Sequence, residues 1–198
     1  MASNAPSLEI EVLEGARLTA CLEHLAELRM EVFRDWPYLY EGDMAYEAAY
    51  LSAYAQPGAL CVAVWDGDTM VGASTGAPMS QHAEDFAAAL PADWPVEETF
   101  YCAESVLLSG YRGRGLGHRF FDLREAHARS LHLTRAVFAS VVRPSDHPPR
   151  PPEYRPLDAF WQGRGYAPLP GAVAQFPWKD VGEAQETHKP LQIWGKNL

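Results

Sequence analysis

The six residues Arg112 to Gly117 read RGRGLG, with glycine at every second position between Arg112, Arg114 and Leu116. Glycine lets a backbone approach a bulky anion and adopt positive φ without a steric penalty. A helix starting inside such a turn aims its free N–H groups and the positive end of its dipole at that anion. The two arginines add forked donors suited to phosphate oxygens. This turn has the chemistry of a diphosphate cradle. Upstream of it, Glu104 is the lone acid in the apolar run TFYCAESVLL. Burial of a carboxyl there raises its pKa toward that of a general base. Exposure to solvent or pairing with an arginine is the alternative for the same residue.

A third candidate is Gly72-Ala73-Ser74-Thr75-Gly76, a formal match to the GxSxG nucleophile elbow. The elbow needs a sharp turn from strand into helix. Here the residues continue a strand into Pro78, which speaks against Ser74 as a nucleophile. No GxxxxGK[ST] is present, and the glycines of the turn spell GxGxG rather than the dinucleotide fingerprint GxGxxG. HExxH, paired CxxC and EF-hand patterns are also missing from the sequence, so no metal is expected. Cys21, Cys61 and Cys102 are widely spaced among apolar neighbours and read as buried, reduced thiols.

The turn must be positioned by a fold, and the pattern around it suggests which kind. Thr99 to Leu108 reads as one buried strand leading into the turn, and the helix after it carries Leu116, Phe120, Leu123, His127 and Leu131 on one stripe. Before them come a strand (Leu8–Leu13), a helix (Leu18–Phe33), the aromatic loop of Trp36, Tyr38 and Tyr40, and a tyrosine-rich helix (Ala45–Tyr54). A hairpin follows, Ala59–Trp65 with Met70–Ala77, then mixed helix and loop from Ser80 to Pro95. After the turn's helix come a strand (Ala136–Val142), a proline-dense flap, a short helix (Leu157–Gln162), a strand opening at Gly165-Tyr166, and strands at Val173–Trp178 and Leu191–Trp194. This is one mixed α/β domain over residues 1–198. Trp36, Tyr38 and Tyr40 suit either core-edge packing or the lining of an acceptor site, because such side chains offer both a ring face and a hydrogen bond.

At 198 residues, with 47% hydrophobic and 12% aromatic residues, the chain has the composition of a folded domain. A net charge of −10 argues against a general nucleic-acid binder. No apolar run reaches the ~18 residues of a membrane span, and MASNAPSLEIEV lacks the look of a secretory signal, so a cytoplasmic protein is expected.

The order of elements and the turn together resemble the GNAT (Gcn5-related) N-acetyltransferase superfamily. Its cofactor motif is Gln or Arg, two residues, Gly, one residue, then Gly or Ala; Arg112, Gly115 and Gly117 fill those places. The hydrophobic strand from Val106, the segment Ala159-Phe160-Trp161-Gln162-Gly163-Arg164-Gly165-Tyr166 and the C-terminal KPLQIWGKNL are also similar to family features. The resemblance implies a central sheet of about seven strands, splayed between the fourth and fifth, with about four helices. It implies acetyl-CoA as co-substrate, with its pantetheine arm beside Val106, Leu107 and Leu108. Its diphosphate would lie on Arg112, Gly113, Arg114, Gly115, Leu116, Gly117 and His118. It further implies attack by a primary amine of a small molecule or peptide on the thioester, through an oxyanion polarised by a strand amide of Leu107 or Val106.

In the same resemblance Glu104 is the candidate base and Trp36, Tyr38 and Tyr40 wall the acceptor. The family's usual tyrosine acid is replaced by Trp161, which leaves Tyr154 to contact the cofactor or supply the proton. The missing acid also admits a second class of function, a CoA-binding regulatory protein with little or no catalysis. Many relatives dimerise, and the apolar strand Leu191–Trp194 is a candidate for pairing across a homodimer.

Overall fold

The computed structural model describes residues 8–81 and 84–198, with Glu84 and Asp85 described by backbone alone. Eight strands among the described residues form one sheet in the order β1-β2-β3-β4-β6-β8-β7, with β5 paired to β3. The first three, β1 (Glu9–Glu14), β2 (Leu60–Asp66) and β3 (Thr69–Pro78), make an antiparallel meander. Successive side chains of a strand point to opposite faces. In β2, Cys61 and Ala63 accordingly join the core on one face, whereas Leu60, Val62 and Val64 join the core on the other. Both faces are covered, which explains why this strand is apolar throughout instead of alternating.

The helices on the first face are α1 (Gly15–Ala20), α2 (Leu22–Phe33) and α3 (Met44–Leu51). A single helix was expected over Leu18–Phe33. The chain instead breaks at Cys21 (φ −101°, ψ 2°), with Leu18, Cys21 and Leu25 all in the core. The helix α4 (Glu84–Ala88) lies in the mixed segment expected between Ser80 and Pro95, of which residues 82–83 fall outside the described residues. On the second face runs α5 (Leu116–Ser130), burying Leu116, Phe120, Phe121 and Ala128, with α6 (Asp158–Gly163) beside it. His127 is a satisfied core-edge residue, its Nε2 2.9 Å from the Gly58 carbonyl oxygen.

The expected single strand Thr99–Leu108 is in fact two, β4 (Thr99–Tyr101) and β5 (Ser105–Leu107). Opposite Thr75, the Ala103 amide donates to the Thr75 carbonyl, and the Thr75 amide donates to the Glu104 carbonyl, both at 3.1 Å. Two residues facing one is a β-bulge, which bends the bulged strand. β4 pairs in parallel with β6 (Arg135–Val141) only as far as Tyr101↔Val137. Beyond the bulge, β5 follows β3 while β6 follows β8 (Thr187–Asn197). The sheet therefore opens into a wedge between β5 and the second half of β6, matching the splay that the resemblance implies.

The last strand, β7 (Ala167–Trp178), forms the far edge of the sheet against β8. β8 is paired on both sides, so Leu191–Trp194 offers no free edge for pairing with a second copy. No helix among the described residues is long and apolar enough to cross a membrane.

Candidate active site

The glycine turn forms as its sequence requires. Gly113 (φ +76°) and Gly115 (φ +78°) take the left-handed conformation, and Gly115 is the residue from which α5 starts. A Cβ on either would meet no heavy atom within 4 Å, so the space over the turn is open. Among the described residues no carbonyl accepts from the amides of Gly113, Arg114, Gly115, Leu116 or Gly117. These are the free donors that an anion at a helix N-terminus needs. Arg112 Nε donates to the Leu107 carbonyl at 3.2 Å and Arg114 Nη2 to the Gly110 carbonyl at 2.9 Å, which holds both guanidinium groups at the turn. His118 lies against Phe160, ring centroids 4.9 Å apart. The residues present fit a diphosphate: unmatched amides, two cations and no Cβ in the way.

From the turn, β5 leads into the wedge. The Leu108 amide donates to the Val71 carbonyl at 3.0 Å and the Glu104 carbonyl accepts from Thr75, so the even-numbered peptide groups here face β3. Strand alternation then points the amides of Ser105 and Leu107 toward the open side. Between the two candidates for an exposed strand donor, Leu107 and Val106, the geometry selects Leu107.

At the apex of the wedge sits the bulge, held from both faces. From α5, the buried Arg124 donates through Nη1 to the carbonyls of Thr75 (3.2 Å) and Glu104 (3.1 Å). From α2, Arg29 makes an ion pair with the Glu104 carboxyl and donates through Nε to Glu47 Oε2 at 2.6 Å. Thr75 and Tyr54 also donate to Glu104, the latter at 2.9 Å. Burial by itself raises the pKa of Glu104, as expected from the apolar strand. The Arg29 guanidinium and the hydroxyl donors outweigh it, leaving the carboxyl below its ordinary value. The net shift is thus opposite to that of a poised general base, and pairing with an arginine is the environment found.

Beside the bulge lies a cleft walled by Tyr38, Tyr46, Tyr50, Phe176 and Trp178, with the buried Arg29 and Glu104 on its floor. Tyr38 and Tyr40 also line it. Their hydroxyls stay protonated: burial and the Glu104 charge push Tyr38 up to about 12, and burial with Glu47 pushes Tyr40 higher still. Trp36 is elsewhere. Its ring packs on His147 (5.2 Å) and Tyr154 (5.8 Å), joining the aromatic loop to the proline-dense flap. Burial and the neighbouring Asp158 raise the Tyr154 phenol, over whose ring Arg150 lies.

The aromatic loop is fixed at its base by a second ion cluster. Arg143 makes a two-pronged pair with Asp180 (2.6 and 2.9 Å) and donates to the carbonyls of Pro37 and Tyr38. Lys189 adds a further cation 3.3 Å from Asp180. Burial opposes the ionised form of Asp180, but Arg143 and Lys189 prevail and hold its pKa below the ordinary 3.8. For Glu104 and Asp180 alike, the folded pKa lies below the unfolded one. Their stabilisation is therefore complete above the ordinary values of 4.5 and 3.8 and disappears as pH falls through the folded values. Urea midpoints measured from about pH 7 down to about pH 3 are expected to fall most steeply below about pH 4.5, and less so in Asp180→Asn.

Two other sequence candidates sit in packing positions. Ser74 lies mid-strand in β3, fully buried and paired across to Val62 and Ser105, with no turn into a helix. Trp161 packs between Phe138 (5.0 Å) and Trp194 (5.1 Å) in the core of the second face. The sequence reading missed Arg29, Glu47 and Arg124. A signal was present: Arg29 falls on the apolar stripe of α2 four residues after Leu25, and Arg124 four residues after Phe120. A charge on a buried stripe requires partners.

Comparison with known proteins agrees with this architecture. The chain is similar to an acyl-CoA N-acyltransferase from Pseudomonas aeruginosa (17% identity, covering 96% of this chain and 99% of that one, TM-score 0.60). A ribosomal-protein-alanine N-acetyltransferase from Brucella melitensis shares the fold at 12% identity, with coverage of 96% and 99% and a TM-score of 0.59. So does the PaiA N-acetyltransferase from Thermoplasma acidophilum, solved in complex with coenzyme A (12% identity, coverage 97% and 99%, TM-score 0.54). No curated protein sequence matches at a significant level. A sequence profile described as the acetyltransferase (GNAT) family matches residues 22–150, from the start of α2 through the turn, α5 and β6. With that profile spanning well over half of its length, the chain belongs to the acetyltransferase (GNAT) family.

Proposed function

We propose that this protein is an acetyl-CoA-dependent N-acetyltransferase that modifies a primary amine bound in the aromatic cleft. The observation that carries this reading is continuity. The unmatched amides from Gly113 to Gly117, the open side of β5 and the cleft floor at Glu104 follow one another along a single path. The bound co-substrate supplies an activated acetyl thioester. Gly113 to Gly117 would hold its diphosphate together with Arg112 and Arg114, and the open side of β5 at Ser105 would receive its arm. The Leu107 amide would be the donor for the thioester carbonyl oxygen, because a fixed donor stabilises developing negative charge there.

Glu104, kept ionised by Arg29, draws an ammonium to the cleft floor. As a carboxylate of depressed pKa it takes a proton only weakly, so solvent in the open wedge is the sink for the amine's proton. Tyr154 is the proposed donor to the leaving thiolate; burial and Asp158 raise its phenol and so make it a weak acid for that step. The test is acetyl-CoA binding followed by thiol release over a panel of amines. Acetyl-CoA is expected to raise the thermal midpoint by several degrees at 100-fold excess over Kd, and at least one amine to release thiol. A midpoint shift with no thiol release for any amine would instead support the CoA-binding regulatory reading, which Trp161 at the acid position favours. No midpoint shift with acetyl-CoA would refute both.

A further inference from the structure

We infer that Arg124 is a positioning residue for the co-substrate, one that strengthens and aims the Ser105 amide toward an amide carbonyl of the CoA arm. This rests on reading the wedge as the acetyl-CoA site. Arg124 is only 1% exposed. The acids around it are taken by other cations, Glu125 by Arg164 and Lys196, and Glu104 by Arg29. Its guanidinium binds backbone instead. Nε donates to the Phe120 carbonyl of its own helix at 3.3 Å. Nη1 is shared between the carbonyls of Thr75 and Glu104, at 3.2 and 3.1 Å. Nη2 is enclosed and has no hydrogen-bond partner among the described residues. A buried cation paired with no carboxylate is costly, and an apolar side chain would fill the stripe of α5 at less cost. A charge kept at the bulge in spite of that calls for a use.

The Glu104 carbonyl and the Ser105 N–H belong to one peptide, and a planar trans peptide points the two in opposite directions. The carbonyl faces β3, where it accepts from the Thr75 amide at 3.1 Å and from Arg124 at the same distance. The N–H faces the wedge, on the side where β5 has no strand partner. Hydrogen bonds in series polarise one another, and those made by an ionised donor are the strongest. Arg124 on the carbonyl thus makes the Ser105 N–H a stronger donor into the wedge. By holding the Thr75 and Glu104 carbonyls together it also fixes the plane of this peptide before a ligand arrives, and a preordered donor costs less to engage. The effect needs no net charge at the site. Arg29 and Arg124 together balance Glu47 and Glu104; what matters is that one guanidinium touches this one carbonyl.

The experiment measures Kd by calorimetry for acetyl-CoA, for CoA and for ADP, which has the diphosphate but no arm. In Arg124→Met, acetyl-CoA and CoA should both bind about three- to tenfold more weakly, the loss of roughly one hydrogen bond, with ADP unchanged. Arg124→Lys keeps a cation able to donate to a carbonyl and should recover much of that loss. A merely structural role would disturb the turn at the start of α5 and weaken ADP as well. Equal losses for ADP and CoA therefore overturn the inference, and so does unaltered CoA binding in Arg124→Met. Should Arg124→Met fail to fold, the unmodified protein carries the test. Saturating CoA should slow hydrogen exchange of the Ser105 amide by at least about tenfold, and ADP should not. A Ser105 amide that CoA leaves unprotected overturns the inference and leaves acetyl transfer standing. If the unmodified protein binds no acetyl-CoA at all, the acetyl-transfer reading falls, and this inference with it.

Discussion

Arg29→Met is expected to cost about 3–5 kcal/mol of folding stability in urea denaturation at neutral pH. The side chain is 8% exposed and holds Glu47 and Glu104 together. Methionine fills much of the same volume, so the loss is electrostatic, not a cavity. Removing one partner of a buried ion cluster leaves the others as uncompensated charges. Glu104 keeps its bonds from Thr75 and Tyr54, whereas both carboxyls lose their counter-ion. The pH dependence separates this mechanism from simple repacking. Without Arg29, burial dominates and the folded pKa of a floor carboxyl rises above its unfolded value. Protonation then favours the folded state, so the deficit of the variant should shrink between about pH 8 and about pH 5. A deficit independent of pH over that range would show that Arg29 contributes through packing alone. Adding Glu47→Gln to the variant should return part of the lost stability.

The second large effect is on the cofactor side. Gly115→Glu is expected to weaken acetyl-CoA binding by at least about 100-fold, seen as loss of the thermal shift in a protein that still folds. Folding should survive because a Cβ at this position meets nothing within 4 Å. The left-handed φ of +78° costs about 1–2 kcal/mol for a non-glycine residue. What changes is the occupant of the open space: a carboxylate placed over the free amides satisfies the donors meant for the diphosphate and repels its charge. Gly115→Ala has the backbone strain without the charge and should retain most of the binding. If Gly115→Glu binds acetyl-CoA as tightly as the parent, the diphosphate does not lie on this turn.

These two predictions differ in how far the sequence alone reveals them. The turn is legible because its requirements are local. Six consecutive residues hold the glycines, the cations and the start of the helix, and no distant contact is needed to place them. The elements around it are legible too, through the two apolar runs of β2 and β3 on either side of a Gly-containing turn and the apolar stripe of α5. The bulge is not. Thr99 to Leu108 is apolar enough to read as one strand, and the side chains that clamp its break, Arg29 and Arg124, come from helices far away in the chain. One of these distant partners, Arg29, also lowers the pKa of Glu104. A lone acid in an apolar strand suggests a raised value, and the guanidinium that reverses it is visible only in three dimensions. Tyr38 and Tyr40 reach the cleft while Trp36 turns to the flap, a difference set by the anchoring of the loop to Arg143 and Asp180.

The wedge has a further consequence for the behaviour of the chain in a crowd. A sheet edge with unpaired peptide groups is a template for association with other chains. Here the unpaired edges of β5 and β6 lie inside the molecule, facing each other, where a strand from another protein would have to enter between two strands already committed to β3 and β8. The bulge, clamped by arginines on both faces, stops the two edges from closing on themselves. The fold thus keeps a reactive backbone edge available for a slender ligand while shielding it from the self-association that an outer edge of the same length would invite.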